Sequence, residues 1–265
     1  MSHSDLYAQI DRYAYTNALA KNSPITKIFF ALSALIICVS SQSIIVPIIV
    51  FSITTILLLC FAKIKAHFYL DLLIYPTAMA ALSCLFIALF FGYGQALTEI
   101  VLPWFKWTIF KNGITTSVNT FFRVEGALSC LYFLVLTTSI TDIFITLRRL
   151  HVPRVVVEMS LLIYRYIFVI LEVSAKMNTA QKLRLGNSGL VKRIRSIALI
   201  AANLFIRSLE QGERTFIAMN ARGYDGNIRV LEDLPRPKKT AIIGIILYDV
   251  VLLFVVFFTM NIGVV

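Results

Sequence analysis

The sequence predicts an all-α, polytopic integral membrane protein, with about five transmembrane helices and two long amphipathic helices on its cytoplasmic side. Three observations carry this. The chain is 58% hydrophobic and only 15% charged, where a soluble domain is about one quarter charged. The apolar residues fall in runs near the length of a bilayer crossing. Lysine and arginine gather between and beside those runs, which gives the net charge of +11 a positive-inside explanation. Nucleic-acid binding is disfavoured, because the basic residues follow spans and lack interleaved stacking aromatics.

The first twenty residues are polar and charged, with no apolar signal-peptide core, so insertion is expected to rely on the first span. That span runs from about Ile25 to Val39, after Lys21 and Pro24. A second runs from about Ile44 to Ala62. Only Ser40-Ser41-Gln42-Ser43 separates them, so the two form a tight helical hairpin. The third runs from about Leu72 to Gly92 and the fourth from about Thr120 to Ile140. The last runs from about Ala241 to Ile262. Crossing roughly 30 Å of hydrocarbon takes about 20 helical residues, so the first span must recruit its flanks. The chain thus divides into an N-terminal segment with four spans (1–140), a basic cytoplasmic region (141–240) and a final span (241–265).

Orientation follows from Arg12, Lys21 and Lys27 at the first span and Lys63 and Lys65 after the second, which mark cytoplasmic ends. The segment 94–119 carries only Lys106 and Lys111 and is expected outside, with Trp104, Phe105 and Trp107 as an interfacial belt. The C-terminus is then external.

Within the basic region, apolar residues recur at Val155, Met159, Leu162, Tyr166, Ile170, Val173 and Met177, at helical spacing. Glu158, Arg165 and Glu172 form a narrow polar stripe, and Glu172 and Lys176, four apart, can pair. An interfacial helix accounts for this better than a further span, in which those charges would each cost several kcal/mol (~2.5–3.5 at the helix centre). Gly186-Asn187-Ser188-Gly189 breaks the helix. In the next helix Ile194, Ile197, Ala201, Leu204, Phe205, Ser208, Gly212, Thr215, Phe216 and Met219 share a side, and Gly223 is a plausible terminator. Arg184 and Arg222 stand near the ends of these two helices.

The chain has no phosphate-binding loop, dinucleotide fingerprint or hydrolase signature, so no catalytic residue is assigned and no cofactor expected. Cys38, Cys60, Cys84 and Cys130 lie in apolar runs without metal spacing and read as packing residues. His3, His67 and His151 are far apart and assemble no metal site. Arg123 and Glu125, two apart, need different partners. Asp249, deep in the last span, is the best single candidate for a buried functional acid; a structural hydrogen bond between helices outweighs a proton relay there.

The stretch Glu213-Arg214-Thr215-Phe216-Ile217-Ala218-Met219-Asn220-Ala221-Arg222-Gly223-Tyr224-Asp225-Gly226 resembles the signature of the transmembrane T component of energy-coupling factor (ECF) transporters, in its cobalt-type CbiQ branch. Ile10-Asp11-Arg12-Tyr13-Ala14, followed by Lys27, is similar to that branch's N-terminus. The resemblance implies a multi-pass subunit of a prokaryotic cell membrane that couples two ATP-binding cassette ATPases to a separate substrate-binding membrane subunit, and is not itself catalytic. It also implies two coupling helices, each ending in a small-Arg-small motif whose arginine docks on one ATPase. Ala221-Arg222-Gly223 fits that pattern. Leu183-Arg184-Leu185 fits in position, with leucines where small residues are usual. The implied cargo is cobalt or nickel. A T component for a vitamin such as biotin, a membrane-embedded enzyme built on Asp249, and a scaffold without transport role are the rival readings.

Overall fold

The computed structural model describes residues 3–20, 22–41, 43–91, 96–102, 105–183, 189–226, 235 and 237–262. Residues 1–143 with 234–265 form one compact unit and residues 144–233 a second.

In the first unit, α1 (His3–Thr16) ends where Asn17 takes over its last carbonyls. The Asn17 amide donates to the Tyr13 and Ala14 carbonyls, both at 2.9 Å, and to Leu136 O at 3.1 Å. One buried side chain thus closes α1 and ties it to a distant helix. Helix α2 (Pro24–Ser40) opens on a proline, tolerated at a helix start because its missing N–H has no partner there anyway. Helix α3 (Ile45–Ile56) continues into a π turn over Leu57–Phe61. Together α2 and α3 are the expected helical hairpin, and both are shorter than a full crossing.

Among the described residues three helices are long and apolar enough to cross a membrane: α4 (Ala66–Phe90), α5 (Lys111–Thr137) and α9 (Lys239–Ile262). They stand at the third, fourth and last expected spans. The chain is a multi-pass, all-α membrane protein, with one β ornament among its described residues. That ornament is a hairpin of β1 (Ala96–Leu102) and β2 (Phe105–Phe110), paired antiparallel with Glu99 opposite Thr108 and Leu102 opposite Phe105. It occupies the segment expected to form an interfacial belt. Trp104 lies outside the described residues.

Helix α5 starts at Lys111, nine positions before Thr120, where the fourth span is expected. Polar Asn112, Thr115, Thr116 and Ser117 lower the hydropathy of these turns without breaking the helix. Tertiary contact secures them: Ser117 Oγ donates to Cys84 O at 2.6 Å, and Gly113 lets the helix run against the Phe91 carbonyl. The other end is also earlier than expected. The helix stops at Thr137, and Ser139 caps a separate α6 (Ile140–Arg149), its Oγ accepting from Asp142 N–H at 3.1 Å.

Helix α5 is the hub against which α1, α2, α3 and α4 all pack. One cluster joins Phe30, Leu58, Tyr69, Leu73, Phe133 and Leu136. A second joins Ala34, Cys38, Val46, Val50, Cys130 and Leu252. Small residues permit the second: a Cβ on Gly126 would lie 2.7 Å from Cys38 Sγ and 3.0 Å from Pro47 O. Lipid supplies no hydrophobic drive between helices, so such close approach is how spans associate. The outward faces of α4 and α9 remain apolar, as with Leu70, Ile74, Phe254 and Phe257.

The second unit holds α7 (Arg154–Leu183) and α8 (Leu190–Ala221). They meet along two stripes. On α7 Leu162, Tyr166, Val173 and Met177 are half-buried, and on α8 Leu204, Ser208, Thr215 and Met219 are. Tyr166 and Thr215 join hydroxyls across the contact.

Candidate functional site

The exposed end of α8 carries the most distinctive local structure among the expected site residues. The helix terminates in a Schellman motif, with Arg222 as its last half-helical residue. Tyr224 N–H donates to Met219 O at 3.1 Å and Gly223 N–H to Asn220 O at 3.0 Å. Closing this turn requires a left-handed residue, and Gly223 supplies it with φ +77°. Ala221, Arg222 and Gly223 are all exposed. The Arg222 guanidinium is therefore presented from a rigid corner, at the negative end of a 32-residue helix.

The end of α7 is described as far as Leu183, which is 80% exposed. Arg184 and Leu185 lie outside the described residues. Two to three turns further back, the pair expected from the sequence is formed, with Lys176 Nζ 2.7 Å from Glu172 Oε1. That hydrogen bond, reinforced by the lysine's charge, holds the Glu172 carboxyl below the usual carboxylate range.

Both long helices leave large apolar side chains uncovered. Ile163, Ile167 and Phe168 on α7 and Ile194, Phe205, Leu209 and Phe216 on α8 are each at least 40% exposed. Contiguous exposed apolar surface of this kind marks a binding face or a membrane face.

The charged residues within the spans find separate partners. Arg123 donates to the Ser41 carbonyl at 2.5 Å, in the α2–α3 connection. Glu125, two positions on, accepts from Thr77 of α4 at 3.3 Å. Asp249 of α9 accepts from Ser33 of α2 at 3.0 Å, a bond between helices of the kind that outweighs a proton relay. Among the described residues no three His, Cys, Asp or Glu side chains could hold a metal ion. Lys27 is a residue that sequence reasoning uses as a charge marker and as part of the N-terminal resemblance, without expecting its burial. It is 6% exposed and donates to Thr137 O at 2.7 Å. Nothing local signals this, because the acceptor lies 110 positions away.

Comparison with known proteins places the chain. The family model described as cobalt transport protein, CbiQ, matches residues 16–232. An uncharacterized protein of Methanocaldococcus jannaschii is 38% identical over 257 residues, covering 94% of this chain and 93% of that protein. A putative fused cobalt transport protein CbiMQ of Methanocorpusculum labreanum is 32% identical over 225 residues, covering 84% of this chain but 38% of that longer protein. The energy-coupling factor transporter transmembrane protein EcfT of Staphylococcus aureus is 26% identical over 141 residues, covering 49% of this chain and 53% of that one. The match across most of the chain, in keeping with the helical membrane architecture, establishes that the chain belongs to the CbiQ family, the cobalt-type transmembrane components of energy-coupling factor transporters.

Proposed function

We propose that the chain transmits ATP-driven motion from two ATP-binding cassette ATPases to a separate substrate-binding membrane subunit, in a prokaryotic plasma-membrane importer of cobalt or nickel. One observation carries this reading. A member of this family presents Ala221-Arg222-Gly223 on a rigid, exposed, Schellman-capped corner.

That corner suits docking. A guanidinium keeps its charge and offers a planar fork of donors matched to a carboxylate or a cluster of carbonyls. Ala221 and Gly223 add little bulk, so a partner's backbone can come close. Leu183-Arg184-Leu185 takes the second ATPase at the end of α7. The exposed apolar faces of α7 and α8 need cover, and the partner subunits supply it. Cobalt as cargo is supported by the family's description and by the fused cobalt transport protein among the relatives. In that relative the matching segment is one part of a longer chain, which fits a membrane partner held close by. The cargo itself is handled by the partner subunit, and this chain supplies neither a metal site nor catalysis.

The test is ATPase pull-down together with cobalt uptake. A docked arginine leaves a partner acid unpaired when truncated, at roughly 2–5 kcal/mol. Arg222→Ala is expected to weaken ATPase retention and uptake while membrane insertion is kept. Arg222→Lys rescues in part, because an ammonium lacks the fork. The Arg184→Ala/Arg222→Ala double variant is far worse than either single one. Wild-type assembly and uptake in the double variant would refute the coupling role.

A further inference from the structure

We propose that a pocket where the first turns of α2 and α9 converge binds the phosphate of an anionic phospholipid headgroup. The pocket has a volume of about 310 Å³. Ser23, Thr26 and Lys27 line it from the start of α2, and Lys238 lines it from the residue before α9. Phe30 and Phe133 belong to its apolar wall.

Lys27 is the strongest indication. It is 6% exposed, and its ammonium reaches one neutral acceptor, Thr137 O at 2.7 Å. Among the described residues no carboxylate lies within ion-pair distance of it, although Asp142 is near enough to act on it electrostatically. A buried cation with no carboxylate in contact is costly, and an anion entering the pocket lowers that cost. Ser23 is a second, independent indication. It is 5% exposed, it caps α2 without a side-chain cap bond, and its Oγ has no hydrogen-bond partner. Both helices point their positive ends toward the pocket, which favours negative charge there. Lys238, exposed at the mouth, adds a further charge. The phenylalanine wall selects an amphiphile over a free anion, because it accommodates the apolar part of a lipid beside its phosphate. Basic pockets between spans bind lipid headgroups in this manner.

The test uses the full chain in nanodiscs of equal phosphatidylglycerol and phosphatidylcholine, read by native mass spectrometry for lipid retained after stripping. The wild type is expected to retain phosphatidylglycerol selectively. Lys238→Gln lowers that retention about fivefold, and Lys27→Gln lowers it further. Because Lys27→Gln also removes the bond to Thr137, the exposed Lys238 carries the test. Lys65→Gln, at an exposed lysine outside the pocket, controls for net charge and leaves retention unchanged. Equal retention of the two lipids would overturn the proposal, as would an equal loss in the Lys65 variant. Displacement of the lipid by millimolar inorganic phosphate would overturn it too, and would assign the pocket to a free anion. None of these readouts involves an ATPase, so the outcome is independent of the coupling role.

Discussion

Pro76 sits inside α4, where it removes the N–H that the Leu72 carbonyl would otherwise accept. In hydrocarbon an orphaned carbonyl is costly, and Tyr132 of α5 meets it, donating its hydroxyl to Leu72 O at 3.0 Å. The two residues therefore form one device on two helices, and their mutations should not add. Tyr132→Phe is expected to cost about 1 kcal/mol in the native chain. In a Pro76→Ala background the restored N–H supplies Leu72, so the same change should cost much less. Thermal unfolding of the four proteins of that cycle in detergent measures the difference, and strict additivity would show that the hydroxyl does not serve the carbonyl. Gly126 offers a second check at this scale. Gly126→Ala forces a methyl against Cys38 Sγ and the Pro47 carbonyl. Overpacking of this kind costs roughly 1–3 kcal/mol, and a melting temperature unchanged from wild type would mean that α2, α3 and α5 are looser than described.

Among the elements, the end of α8 separates two roles of one glycine. Gly223 closes the Schellman turn with a positive φ, and it also leaves room beside Arg222. Gly223→Ala should cost about 1 kcal/mol through its left-handed backbone, whereas Gly223→Asn, which tolerates that conformation, should cost less. If ATPase retention follows the ranking of helix stability, the cap is what matters; if the bulkier asparagine is the worse of the two, room at the interface matters more. On α7 the Glu172–Lys176 pair predicts a pH signature. Its stabilisation is present above the ordinary glutamate pKa and is lost as pH falls through the lower folded value. Lys176→Ala should move the Glu172 titration upward, as followed by carboxyl-carbon NMR, and an unmoved titration would deny the pair. These two helices were legible in the sequence because their apolar stripes repeat at helical spacing over roughly six turns or more. The glycine stop after α8 was legible for a local reason as well. The hairpin was not, since β1 and β2 gain their order from each other across a turn, while their aromatic residues equally suit an interfacial belt. The start of α5 and the burial of Lys27 were illegible for a related reason, because both are decided by contacts with segments far along the chain.

At the scale of the whole molecule, charge asymmetry decides which side of the membrane each part occupies. The segment 141–240 holds most of the chain's arginines, and the positive-inside rule assigns it to the cytoplasm, the side on which the proposed coupling to ATPases would take place. Lys63 and Lys65, between the π turn and α4, fall on the same side. The hairpin and the start of α5, with Lys111, then face outward. Cysteine labelling in intact cells with a membrane-impermeant maleimide tests this arrangement. Among the native cysteines Cys60 is exposed, whereas Cys38, Cys84 and Cys130 are buried, so a Cys60→Ser background suppresses most native labelling. Lys111→Cys, at an exposed position, is expected to label from outside. Glu213→Cys, exposed on α8, is expected to label only after the cells are permeabilised. Labelling of Glu213→Cys from outside would place α8 and Arg222 on the wrong side for any cytoplasmic ATPase. The coupling role would then fail on topology alone, whatever the arginine variants did to uptake.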